Sequence, residues 1–317
     1  MYERINYKMK KFVITIGLVV LIVASVLITY KMHSPIKATK TLSSVDKSID
    51  KTTGKKKITH HATVVSALPK ADVTTKKAPF FYNIVGTSTT PKKYPDAGLT
   101  KWRESVVNLA KKYPSSLYIN GQNTNKVVAL TFDDGPDPVN TPKIIKVLHD
   151  NNIKGTFFCV GNQIESCKSI IKQAYADGNV IASHSWSHKD FATINAVQIN
   201  NEVALTENEI NKVIGKRPTL IRPPYGDVND VVLNTLTAQN YKSIIWSIDT
   251  LDWEQREAEN IVNNVVKNVR PGEIVLMHCN GDKKATTKAL PQMILKLKEM
   301  GYSFVTVDKL LHLKAYK

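Results

Sequence analysis

The sequence predicts an α/β fold, a parallel sheet or (β/α) barrel, and three observations predict it. After Lys126, short apolar runs of strand length alternate with amphipathic helical segments through to the C-terminus. Repeated units of that length make parallel strands joined by crossover helices. Polar clusters then follow the strands, where a (β/α) barrel carries its functional residues.

Val127–Phe132 is an apolar strand, followed by a helix over Pro142–Asn151 with Ile144, Ile145, Val147 and Leu148 on one face. Thr156–Val160 is the next strand, Ile164–Asp177 a helix and Val180–Ala182 a strand. The helix at Ala196–Ile214 places Val197, Val203, Leu205 and Ile210 at helical spacing. Strand Leu220–Arg222, helix Val228–Gln239, strand Ser243–Ile248 and helix Ala258–Val269 continue the alternation. Strand Ile274–His278, helix Thr286–Met300 and strand Ser303–Val307 complete it.

The chain ahead of this domain has a different texture. After a short basic segment, 1–11, Phe12 to Tyr30 is a run of 19 uncharged residues bounded by Lys11 and Lys31. As a helix it spans roughly 28 Å, the hydrocarbon thickness of a bilayer. A retained signal-anchor is expected over a cleaved signal peptide, because Ala24-Ser25 lies inside the apolar run and Ile22 is a poor −3 residue. Cleavage would give a secreted form. Flanking charge does not set orientation, with four basic residues before the run and three soon after it. Residues 31–78 are rich in Lys, Thr and Ser and read as a disordered linker. His60-His61 within them have no further ligands nearby. Residues 79–125 form a lead-in of open role, with helical spacing over Leu99–Lys112 and a stop at Pro114.

The net charge of +17 suggests nucleic acid until it is located: residues 1–100 carry +12 of it. The remaining +5 is ordinary, so a nucleic-acid binder is disfavoured and the basic excess belongs to a tail suited to anionic lipid or cell wall. Cys159, Cys167 and Cys279 make no disulfide framework and no CxxC spacing. Cys159–Cys167 is the nearest candidate bridge, and buried free thiols are the alternative.

The chemistry lies in the polar clusters. Asp133-Asp134-Gly135 closes the first strand, and adjacent carboxylates repel unless a cation or a proton is shared. His184-Ser185-Trp186-Ser187-His188 sets two imidazoles at i and i+4, one face if helical, which suits a single metal ion. Arg222-Pro223-Pro224-Tyr225-Gly226 has a backbone fixed by two prolines, able to hold an arginine and to present a rigid amide. Asp249-Thr250-Leu251-Asp252-Trp253 and Leu276-Met277-His278 add carboxylates and a histidine suited to acid catalysis. Capping turns, a proline turn and a structural histidine account for each cluster alone. Together, on the ends of one βα array, they read as metal-assisted hydrolysis.

Taken as an ordered set, Thr131-Phe132-Asp133-Asp134-Gly135, His184 to His188, Arg222 to Tyr225, Asp249 to Trp253 and Leu276 to His278 resemble the five motifs of the polysaccharide deacetylases, also called carbohydrate esterase family four or the NodB homology domain. The resemblance covers about residues 126–313 and implies a distorted (β/α) barrel. It implies that Asp134, His184 and His188 bind a divalent metal, usually zinc, with cobalt or nickel as alternatives. Asp133 would be the general base, held by Arg222. The Tyr225 amide would stabilise the oxyanion, and His278, oriented by Asp252, would be the general acid. Trp253, Leu276 and Pro224 would line the substrate pocket. The implied partner is an acetylated glycan, most directly N-acetylglucosamine of peptidoglycan or chitin-type oligomers. The resemblance says nothing of residues 1–125; the apolar run and the chemistry together give the expected setting, a single-pass anchor with the catalytic domain outside the cell, and a monomer is the default. Two rivals stand beside it: an O-acetyl esterase on xylan or another acetylated glycan, and a non-catalytic cell-wall-binding protein.

Overall fold

The computed structural model describes residues 80–87, 97–122 and 124–317. The apolar run from Phe12 to Tyr30, the linker with His60-His61 and the start of the lead-in lie outside the described residues. Among the described residues no helix is long and apolar enough to cross a membrane.

One parallel sheet organises the domain. In chain order its elements are α1 (Ala97–Lys112), β1 (Leu117–Tyr118), β2 (Val127–Gly135), α2 (Asn140–Asp150), β3 (Thr156–Cys159), α3 (Lys168–Ala176), β4 (Val180–Ser183) and α4 (Ala196–Ile214). There follow β5 (Leu220–Ile221), α5 (Asp230–Ala238), β6 (Lys242–Ile244), β7 (Ile248–Asp249), α6 (Ala258–Asn268), β8 (Ile274–His278), α7 (Lys284–Glu299), β9 (Ser303–Phe304) and α8 (Val307–Leu311). The strands run in the order β1-β6-β5-β4-β3-β2-β8-β7, with β9 against the start of β2. Central strand β2 is buried almost throughout, as a parallel strand covered on both faces must be. Its period-two alternation sends Val128, Leu130 and Phe132 into one apolar layer and Ala129 into the other.

The residues of open role in the lead-in belong to this sheet. Strands β6 and β7 are consecutive in sequence yet stand towards opposite ends of the strand order, which leaves a seam. Strand β1 pairs with β6, and Val85 forms a parallel bridge to Ile248 of β7. Asn120 bridges to Glu273 at the foot of β8. Its carboxamide accepts from the Tyr82 amide at 2.9 Å and donates to the Phe80 carbonyl at 3.0 Å. Gly86 has φ 152°, and a Cβ there would sit 2.3 Å from the Asp249 carbonyl oxygen, so only glycine lets the chain pass that close.

Most predicted elements are present, with three differences. The strand expected over Ser243–Ile248 is split, because Ile244 ends beside β1 while Ile248 starts beside β8. The helix expected from Ile164 begins as a turn at Gly161–Ile164 and passes through a 3-10 turn, Glu165–Cys167, before α3. The last strand stops at Phe304, and Thr306 stands as N-cap of α8.

The seam contacts predict that a chain beginning at Lys126 will not fold cooperatively. It would bare the outer edges of β6 and β7 and remove Ile84, Leu117 and Ile119 from the core. Circular dichroism melting should show a broad, non-cooperative loss of signal where the full-length protein melts sharply.

Candidate active site

Strand ends β2, β4, β5, β7 and β8 deliver the polar clusters to one cavity of about 450 Å³. Asp133, Asp134, His184, His188, Tyr225, Trp253, Leu276 and His278 all line it. Arg222 and Asp252 lie beneath it as supports. Pro224, expected in the pocket wall, is buried in the turn Pro224–Gly226 and is not among the residues lining this cavity.

Arg222 is fully buried on β5's exit and donates from Nη1 to Asp133 Oδ1 at 2.7 Å and to Thr131 Oγ1 at 2.9 Å. Its Nε donates to the Ile244 carbonyl at 3.0 Å, and the guanidinium lies 4.2 Å from the centre of the Phe158 ring. The Arg222 carbonyl accepts from His184 Nδ1 at 2.7 Å. A carbonyl can only accept, so Nδ1 of His184 carries a proton and Nε2 is the ring atom left to face the cavity.

That nitrogen faces Asp134. His184 Nε2 and His188 Nε2 lie 3.3 Å and 3.1 Å from Asp134 Oδ1. Oδ1 is buried and has no hydrogen-bond partner. Three ligand atoms from Asp134, His184 and His188 lie within 4.8 Å of one another. A tetrahedral zinc site with bonds near 2.0–2.1 Å needs ligand separations of about 3.3 Å. The residues therefore fit a divalent cation, and a cation is what would relieve the orphaned carboxylate oxygen.

The two imidazoles do not converge on a helix, as their spacing suggested. Residues 184–188 form a loop, with left-handed backbone at Ser185 (φ 66°) and His188 (φ 57°). Turning the chain twice brings i and i+4 together without helical pitch.

Across the cavity His278 pairs with Asp252, Nδ1 to Oδ1 at 2.7 Å. Asp252 Oδ2 accepts from the His278 amide at 2.8 Å and from Thr286 Oγ1 at 2.6 Å. Burial works against charge on both groups. The His278 interaction and these donors nevertheless hold the Asp252 carboxyl below its ordinary value. Burial likewise opposes the imidazolium of His278. The Asp252 charge and hydrogen bond, with smaller help from Asp134 and Asp133, push it up to about 9.

Four lining residues escaped the sequence reading: Leu99, Trp102, Asp227 and Trp246. Leu99 and Trp102 reach the cavity from α1, and Trp102 lies at a 31° tilt to Trp246, ring centres 5.4 Å apart. Trp102 belongs to the helical spacing over Leu99–Lys112, which by itself gives no sign of a cavity. Asp227 and Asp249 also line the cavity, and burial raises the carboxyl of each above its ordinary value. All three cysteines are free and buried, so Cys159 and Cys167 are not bridged. Cys279 Sγ lies 3.3 Å from the Asp133 carbonyl, and burial pushes its thiol well up.

Comparison with known proteins agrees with this geometry. The family model for polysaccharide deacetylase matches residues 120–244. A peptidoglycan-N-acetylglucosamine deacetylase of Bacillus cereus is 40% identical over 185 residues, covering 58% of this chain and 67% of that protein. The peptidoglycan-N-acetylmuramic acid deacetylase PdaA of Bacillus subtilis is 33% identical over 221 residues, covering 68% and 81%. The crystal structure of the Bc1960 peptidoglycan N-acetylglucosamine deacetylase superposes with TM-score 0.64 at 35% identity, covering 66% of this chain and 98% of that one. With a relative of that identity aligned over two thirds of its length, and the motif residues gathered at one cavity, the chain belongs to the polysaccharide deacetylase family and is one of its hydrolases.

Proposed function

We propose that this protein removes N-acetyl groups from amino sugars of peptidoglycan, N-acetylglucosamine first, on the outer side of a membrane to which residues 12–30 anchor it. The observation that carries the reaction is the placing of two proton-handling groups, Asp133 and His278, in the cavity walls with a three-residue cation site. Bound at Asp134, His184 and His188, zinc or another divalent ion supplies Lewis acidity toward water and the acetamide carbonyl. Asp133, fixed by Arg222, takes the proton of the attacking water. The Tyr225 amide, in a turn held by Pro223 and Pro224, is the donor assigned to the developing oxyanion. His278, charged beside Asp252, gives its proton to the sugar nitrogen as the C–N bond breaks. The products are acetate and a free amine, which is cationic at neutral pH. Trp253 and Leu276 enclose the acetyl group. Trp102 is assigned to the neighbouring sugar ring.

The deciding experiment is acetate release from purified peptidoglycan and from N-acetylglucosamine pentamer by the full-length protein with zinc. Asp133→Asn should lower kcat at least about 100-fold, the scale of a lost general base. Release from acetylxylan but from neither amino-sugar polymer would replace this reading with the O-acetyl esterase one.

The charge state of His278 gives a second test. Its raised value means that the imidazolium stabilises the fold fully below pH ~6.5, and that this is lost as pH rises through about 9. NMR titration of the metal-free protein should place His278 near that upper value. Asp252→Asn should lower the midpoint, since burial is then opposed only by the smaller pull of Asp134 and Asp133. Trp102→Leu should reduce the kcat/KM advantage of pentamer over dimer about fivefold to tenfold, the worth of one aromatic stacking contact.

A further inference from the structure

The loop that carries His184 and His188 has no regular structure to hold it, and two of its five residues occupy a backbone region unfavourable to residues with a Cβ. Something outside the loop must therefore fix it. Part of the answer is backbone. The His184 amide donates to the Cys159 carbonyl at 2.8 Å, and the Gly161 and Asn162 amides donate to the Ser185 and Trp186 carbonyls at 2.9 and 3.0 Å. The His188 amide donates to Ser185 Oγ at 2.9 Å.

Two successive amides, those of Trp186 and Ser187, stand immediately before His188. Both donate to Glu202 Oε2, at 3.0 and 2.8 Å. Ser187 Oγ donates to Glu202 Oε1 at 2.8 Å, and Lys189 Nζ stands 3.4 Å from the same oxygen. Glu202 is 5% exposed and comes from α4. Asn195 and Gln198 start that helix with a capping box, and Gly215 ends it. A carboxylate held by adjacent amides in a turned backbone is a strong, charge-assisted arrangement. A capped helix is a rigid place from which to offer it.

We propose that Glu202 is a positioning residue for the metal site: it fixes the two amides that precede His188 and so holds that imidazole opposite His184 and Asp134. Glu202 reaches none of the three ligand atoms, so it acts through the loop. This rests on the reading of Asp134, His184 and His188 as metal ligands.

Isothermal titration of zinc into the metal-free, full-length protein tests it, together with the visible spectrum of the cobalt-loaded form and the melting temperature without metal. Glu202→Gln keeps the volume but leaves one amide nitrogen where an acceptor is needed. It should weaken zinc binding about 10- to 100-fold, the usual cost of losing a group that orients a ligand, and shift the cobalt d–d band. Ser187→Ala removes only the hydroxyl contact, should weaken zinc a few-fold, and serves if Glu202→Gln fails to fold. Wild-type zinc affinity and cobalt spectrum in these variants, with or without a lower melting temperature, would overturn the proposal and leave Glu202 a packing residue. No zinc or cobalt binding by the wild-type protein would overturn the metal reading itself, and Glu202's role with it.

Discussion

The site depends on one buried ion pair. Arg222 and Asp133 sit 2.7 Å apart with almost no exposure, a placement that costs several kcal/mol per charge before any compensation. Compensation comes from the number of partners. The guanidinium reaches Asp133, Thr131 and the Ile244 carbonyl and lies against Phe158. Strands β2, β5 and β6 are thereby tied through one side chain. The same residue's carbonyl takes the His184 Nδ1 proton, so one buried arginine fixes both the proposed base and the tautomer of a proposed metal ligand. Such a pair contributes little net stability, and its worth lies in the geometry it imposes.

His184 and His278 show how identical side chains acquire opposite properties. Each uses Nδ1 to reach an acceptor inside the protein and turns Nε2 to the cavity. For His184 the acceptor is a neutral carbonyl, which leaves the ring free to be neutral and to coordinate. For His278 it is Asp252, an ionised carboxylate that also receives the His278 amide and Thr286 Oγ1. The ring beside it is held as an imidazolium. A divalent cation bound at Asp134 would cancel that carboxylate's pull on His278, and Asp252 would still supply the main part. The proposed roles of coordination and proton donation are separated by what lies behind each ring, within one cavity.

Much of this was legible in the sequence because the chemistry sits on strand ends, where alternating burial and abrupt polarity are easy to see. Asp133, Asp134, Arg222, Asp252 and His278 were all located that way, and the structure gathers them around the cavity. The reading failed where geometry is set by contacts distant in sequence. The i, i+4 histidines suggested a helix, yet the loop is held by Glu202 and the Gly161-Asn162 amides, which no local pattern announces. Pro224 was placed in the pocket by its motif, but ring burial is decided by the fold of the turn. Trp102 sits at helical spacing with Val106, Val107 and Ala110, and one periodicity does not separate a side chain packed on the sheet from one that lines a cavity.

That overhang links closure of the sheet to the shape of the cleft. The residues that fill the seam between β6 and β7 flank α1 in sequence, and its buried Val106, Val107 and Ala110 anchor that helix. Lys112 and Tyr113 both bind Asp230 at the start of α5, which fixes the far end of the helix. Arg103 donates to the Gly86 carbonyl, beside Asp249. With these ties made, Leu99 and Trp102 have nowhere to go but the cavity wall, close over Gly226, where a Cβ would lie 2.8 Å from the Trp102 ring. The five motifs thus set the reacting groups, while a segment outside them sets part of the wall that a polymer must pass.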